Sequence, residues 1–168
     1  MRSFKKIIGK ILLSALLSAA FMVGGNADAE EQTLKCTLYV GASMDSDAQS
    51  SIEMKDAGLM LKSGRRTGVC VFDDGQVADK QWVFVTRAIG DGSTASEMGY
   101  SVYTMDNGDS VFAKFAIDFG SNGASGVYTI LGGTGNFEGA TGDGSITGTQ
   151  SPWATTPVVK IVLNVKTP

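Results

Sequence analysis

Gly126-Val-Tyr128-Thr-Ile-Leu-Gly132-Gly133-Thr134-Gly135-Asn-Phe137-Glu-Gly139-Ala140-Thr-Gly142-Asp-Gly144 is the stretch whose reading decides the fold. Glycines at this density invite a phosphate-cradling loop, because they let backbone N–H groups approach an anion. A dinucleotide loop must open a helix, however, and this one runs into glycine-punctuated, strand-like sequence. It also lacks the Gly-Lys-Ser/Thr ending of a P-loop. The cheaper reading is a tight turn at the end of a strand, with Phe137 packing back as a plug.

Working outward, the chain from Glu30 falls into short β-rich runs separated by Gly, Asp, Asn and Ser, the spacing of a sandwich or barrel. Eight strands are expected at Leu34–Val40, Gly68–Phe72, Gln81–Ile89, Gly99–Met105, Ser110–Phe119, Gly126–Leu131, Gly144–Thr149 and Val158–Lys166, with a candidate ninth at Leu59–Lys62. In Gln81–Arg87, Trp82 and Phe84 alternate with Val83 and Val85, so this strand is expected to be covered on both faces. Met44–Asp56 is polar and unpatterned, and reads as a loop with one short helical turn. Asn107-Gly108 between two alternating runs predicts a two-residue type I′ hairpin. Tyr100 then opposes Phe115, and Tyr100, Val102, Phe115, Ile117 and Phe119 share an inward apolar face, with Ser101, Tyr103, Met105, Phe112, Lys114 and Asp118 on the other.

The N-terminus points to export. Arg2, Lys5 and Lys6 precede an apolar run from Ile7 to Gly25 broken only by Lys10, and Ala27-Asp28-Ala29 supplies the small side chains of a signal-peptidase site. Residues 1–29 therefore read as a secretory signal peptide and residues 30–168 as one domain, periplasmic or extracellular. A permanent anchor would need about 20 uncharged apolar residues, so no stable membrane insertion is expected after cleavage. Removing residues 1–29 leaves 10 cations against 16 anions, net −6, with no basic run. Such a chain repels nucleic acid.

The whole chain contains no histidine. That removes Ser-His-Asp and Cys-His catalysis and histidine-based zinc sites. Asp45, Asp47, Asp73, Asp74, Asp91, Asp106 and Asp109 sit beside Gly, Ser or Asn without EF-hand spacing, and read as turn formers rather than calcium ligands. No cofactor and no metal are implied. For Cys36 and Cys70 two readings stand: a disulfide permitted by export, or two buried thiols packing as small hydrophobes.

The opening stretch resembles the late-barrel signature of the allene oxide cyclase and dirigent superfamily, in which a Gly-x-Tyr strand leads into Gly-Gly-Thr-Gly-x-Phe-x-Gly-Ala-x-Gly. The preceding hairpin, with Gly108-Asp109 leading to Val111-Phe112-Ala113, is similar to that of bacterial exported members. Matching positions run from Tyr100 to about Gly148. The resemblance implies an all-β fold, an eight-stranded antiparallel closed barrel of calycin-like, allene oxide cyclase type, often a homotrimer. It transfers no catalytic residue, because the matched part is a fold element.

Two functions follow as expectations. The barrel binds a small apolar or aromatic molecule and guides its isomerisation or cyclisation by confinement, with Tyr39, Glu53, Arg87, Tyr100 and Phe115 as candidate ligand-binding residues. Alternatively, it is a non-catalytic envelope or secreted protein acting through its surface, with Trp153 in an exposed apolar patch.

Overall fold

The structure is a computed structural model and describes residues 29–41, 49–90, 94–121, 123–149 and 158–168. The expected signal peptide before Ala29, along with Asp45, Asp47, Asp91 and Trp153, lies outside the described residues.

Among the described residues nine antiparallel strands form one sheet: β1 (Glu30–Val40), β2 (Ser50–Met54), β3 (Leu59–Phe72), β4 (Val77–Ile89), β5 (Thr94–Met105), β6 (Ser110–Gly120), β7 (Gly123–Thr134), β8 (Thr141–Thr149) and β9 (Val158–Thr167). Neighbours run in the order β1-β9-β8-β7-β6-β5-β4-β3-β2. The sheet closes because β1 pairs with β9 along one edge and with β3 along the other, Cys36–Val40 lying opposite Phe72–Gly68. The result is an eight-stranded antiparallel barrel, as the resemblance implied, with β2 as one extra strand.

The expected strands at Leu59–Lys62 and Gly68–Phe72 are one continuous β3. Its first half pairs with β2 and its second half with β1. Ser50–Met54, expected as loop, is therefore a strand that continues the edge where β1 leaves off. Lys55–Ala57 forms the short helical turn, of 3-10 type.

The β5–β6 hairpin differs from expectation by one residue. Its loop is Asp106-Asn107-Gly108, closed by the Met105 N–H donating to the Asp109 carbonyl at 2.8 Å and the Gly108 N–H to the Met105 carbonyl at 2.9 Å. Gly108 takes φ +88°, the left-handed residue that a three-residue loop places last. The Asn107 and Asp109 side chains lock this form: the Asp109 N–H donates to Asn107 Oδ1 at 3.0 Å and Asn107 Nδ2 to Asp109 Oδ2 at 2.9 Å.

Register therefore pairs Tyr103 with Val111 and Ser101 with Ala113. A slip of one position turns every side chain of a strand to the other face. Tyr100 and Val102 point outward, and Ser101, Tyr103 and Met105 point into the core. The inward placement of Phe115 and Ile117 holds.

The interior is filled at the end formed by the β3–β4, β5–β6 and β7–β8 connections. Phe72, Ala78, Met105, Val111 and Val165 pack there, and Phe137, in the 3-10 turn Gly135–Phe137, folds back as the plug. Asp109 ties two connections together, since its carboxylate also accepts the Asn136 N–H at 3.2 Å. The expectation that β4 is covered on both faces does not hold within the single chain. Trp82 and Phe84 are buried, whereas Val83 and Val85 remain about half exposed on the outer face.

Cys36 and Cys70 are joined as a disulfide across the β1–β3 seam, with Cα atoms 5.5 Å apart. It spans 34 residues of chain and on the loop-entropy model contributes about 3 to 4 kcal/mol. The double variant Cys36→Ala/Cys70→Ala is expected to lose about that much in urea unfolding, with a larger m-value because the unfolded chain loses its cross-link. A loss under about 1 kcal/mol would show that the seam holds without the bridge.

Candidate functional site

Alternation along β4 puts Ala78, Lys80, Trp82 and Phe84 on the inner face. Lys80 thereby sits inside the barrel and is 2% exposed. Its Nζ donates to the Tyr128 hydroxyl at 2.8 Å. Rings surround the remaining directions: Nζ lies 4.6 Å from the centroid of Trp82, 5.3 Å from those of Tyr103 and Tyr128, and 5.9 Å from that of Phe115. These π faces attract a cation. Tyr128 holds the box together, standing edge-on to Tyr103 at 6.2 Å and tilted against Phe115 at 5.9 Å.

Glu97 on β5 and Arg66 on β3 form a second polar group on the same inner surface. Glu97, 5% exposed, accepts a hydrogen bond from Thr86 Oγ1 at 2.9 Å and pairs with Arg66 Nη1 at 3.5 Å. The Arg66 guanidinium lies 4.2 Å over the Phe84 ring, which fixes its direction.

A cavity of about 420 Å³ opens beside these groups, toward the end of the barrel opposite Phe137. Arg66, Lys80 and Glu97 are its polar lining, and Leu38, Trp82, Phe115, Ile117, Ile146 and Val159 supply most of the apolar wall. Inward positions of β7 and β8 include Gly126, Gly144 and Gly148; a Cβ at Gly126 or Gly144 would meet the neighbouring strand's backbone at the Ala116 or Val162 carbonyl, and one at Gly148 would sit tightly against the Ala124 side chain. Gly99 is matched to Phe115, whose Cζ lies 2.8 Å from where a Cβ would stand.

Burial controls the ionisation of this interior. Loss of water lowers the Lys80 ammonium from its ordinary 10.5 to about 7, against an opposing pull from the Glu97 carboxylate. Burial likewise raises the phenols of Tyr103 and Tyr128 above their ordinary 10. The hydroxyls of Ser101 and Tyr103 are buried without a hydrogen-bond partner among the described residues.

Of the five residues expected to bind a ligand, Phe115 reaches this cavity. Tyr39 and Tyr100 face outward, each 61% exposed. Arg87 also faces outward, in a shallow recess of about 260 Å³ with Ser96 and Asp118. Glu53 lies exposed on β2, beside a recess bounded by Lys55 and Met60. Sequence reasoning missed Lys80, Glu97, Arg66, Tyr103 and Tyr128. The available signal was parity: Lys80 shares its face with Trp82 and Phe84, and Glu97 shares its face with Ser101 and Tyr103.

No family model matches the chain, and no curated protein matches it. Among solved structures it is similar to a pterocarpan synthase dirigent protein, with a TM-score of 0.55 at 12% identity, covering 92% of this chain and 98% of that one. The fold is that of a dirigent-like barrel. In this dirigent-like barrel, Lys80, Arg66 and Glu97 converge on an apolar cavity, as small-molecule sites do. A second, larger groove of about 500 Å³ lies on the outside over Val83, Val85, Met98, Tyr100 and Val127, with Lys114 and Thr129 as polar residues of an otherwise mostly apolar lining.

The lowered Lys80 makes stability pH-dependent. Between pH 7 and 10 the unfolded chain keeps a lysine proton that the folded chain has released, so stability rises with pH across that window. Above pH 10 the unfolded tyrosines ionise while Tyr103 and Tyr128 do not, and stability falls. Lys80→Met is expected to stabilise the barrel by several kcal/mol at pH 6 and to flatten the rise from pH 7 to 10. Urea midpoints at pH 6, 8 and 9.5 check this; a wild-type midpoint unchanged from pH 6 to 9.5 would contradict the buried, water-poor lysine.

Proposed function

We propose that this chain is an exported dirigent-like barrel that takes a small apolar or aromatic molecule into its interior, on the side away from Phe137. The guest is held in one conformation there, so that an isomerisation or cyclisation proceeds by confinement. The carrying observation is the cavity of about 420 Å³ whose apolar wall is interrupted by the convergent Arg66, Lys80 and Glu97. Its size falls within the range of about 300–1,000 Å³ that small-molecule sites occupy. The similar structure, a pterocarpan synthase, supports a use of this fold in small-molecule chemistry. Export to the periplasm or exterior fits the N-terminal segment and the paired cysteines.

Titration with the neutral fluorophore N-phenyl-1-naphthylamine is expected to saturate at one site per chain. Ala124→Phe, which puts a ring into the cavity lining, is expected to weaken binding at least tenfold with the fold retained by circular dichroism. Binding unaffected by Ala124→Phe but abolished by Val127→Glu would move the site to the outer groove.

A second reading rests on its own observation. Val85 pairs with Met98, Met98 with Ala116, and Ala116 with Val127, all on the outer face. Val85, Met98 and Val127 are 48%, 63% and 60% exposed, and together with Tyr100 they form a continuous apolar band. Such a band fits association between copies of the chain, the homotrimer that the sequence resemblance implies. Light scattering is expected to show an oligomer that Met98→Glu converts to monomer; a wild-type monomer at about 100 μM would remove this reading.

A further inference from the structure

The deepest polar group of the cavity is a cation short of acceptors. An ammonium carries three donors, and among the described residues Lys80 Nζ has the Tyr128 hydroxyl as hydrogen-bond partner and four ring faces for the rest. No carboxylate of the described residues forms an ion pair with it. Glu97 is engaged by Arg66 and Thr86. The cavity thus holds two cations against one carboxylate, in surroundings where an uncompensated charge is costly.

The titratable or charged groups facing Lys80 are Arg66 from β3, Glu97 and Tyr103 from β5, and Tyr128 from β7. β1, β6, β8 and β9 contribute the apolar Leu38, Phe115, Ile117, Ile146 and Val159.

Resting on the small-molecule reading above, we propose that the guest carries one acidic oxygen group, which seats on Lys80 while its apolar body lies along Trp82, Phe115 and Ile117. The incoming oxyanion fills a vacant donor of Nζ with a charge-assisted hydrogen bond and supplies a counter-charge in direct contact, which none of the described carboxylates gives Lys80. A carboxylate fits this chemistry, because it is ionised while Lys80 is still an ammonium. A carboxylate guest is ionised throughout pH 5–9, whereas the empty site loses its cation as pH rises through about 7. Affinity for the anion therefore falls above neutral pH, and binding near pH 7 draws a proton onto Lys80.

The test is calorimetric titration of the intact, disulfide-bonded protein with 2-naphthoate, 2-naphthol and 2-methylnaphthalene, for the wild type and Lys80→Met. At pH 6, 2-naphthoate is expected to bind at least tenfold tighter than 2-methylnaphthalene and than 2-naphthol, which is neutral at that pH and brings no counter-charge; 2-naphthol as the tightest of the three would show a neutral phenol guest and overturn the oxyanion seat. The affinity for 2-naphthoate is expected to fall on the order of tenfold by pH 8.5, with buffer-dependent heats reporting proton uptake near pH 7. Lys80→Met is expected to erase the preference, with circular dichroism showing the barrel retained. Equal affinity for all three in the wild type, or a preference that survives Lys80→Met, overturns the oxyanion seat and leaves the small-molecule reading standing. Binding of none of the three removes both.

Discussion

Closure of the sheet along the seam between β1 and β3 is the constraint on which everything else rests. Cys36–Val40 meets Gly68–Phe72 edge to edge, and with that ladder formed β1 and β3 lose the free edges that would otherwise invite foreign strands. Closure also divides each strand into an inner and an outer set of residues, alternating by twos. Lys80 is buried because Trp82 and Phe84 must be buried, and parity takes the lysine inward with them. The Cys36–Cys70 bridge lies across the same seam, and β2 extends the wall along the rest of β3.

Within that wall the interior is uneven. Trp82, Phe84, Tyr103 and Phe115 come from β4, β5 and β6, while Gly126, Gly142, Gly144 and Gly148 stand on the inner face of β7 and β8. The plugged end is densely packed around Leu163, Val165 and Phe137. Toward the other end the rings thin out and a cavity remains, bordered by charges that packing alone would have excluded. Water removed from Lys80 is compensated partly by ring faces and by one phenol, an arrangement that costs stability. A group kept at such a cost fits a binding role better than a structural one.

Much of the fold was legible from local chemistry. Turn residues bounded the strands to within a few positions, and the glycine-rich stretch after Leu131 did return the chain with Phe137 as a plug. The inner face of β5 was not legible, because both of its faces carry apolar or small residues and Asp106-Asn107-Gly108-Asp109 accommodates two loop lengths. Hydrogen bonds between the Asn107 and Asp109 side chains and the backbone decide for the longer loop, and those depend on rotamers that no hydrophobic pattern records. That single residue exchanged Tyr100 for Tyr103 inside the barrel. Arg87, at the end of an apolar run, and Glu53, within a polar stretch, face outward, whereas Lys80 and Glu97 turn inward although each stands among residues that look solvated. Ser50–Met54 carries no alternation that marks a strand, since it is exposed on both faces, and its pairing with β3 is set by the barrel edge.

The central claim is that the interior, and not the outer apolar band, receives the guest. Methyl-resolved NMR of the protein titrated with 2-naphthoate tests it most directly. The account requires the Ile117, Ile146 and Val159 methyls to shift together and saturate, with Val83, Val85 and Val127 unmoved. Shifts confined to Val83, Val85 and Val127, or no shift in either set, would contradict it.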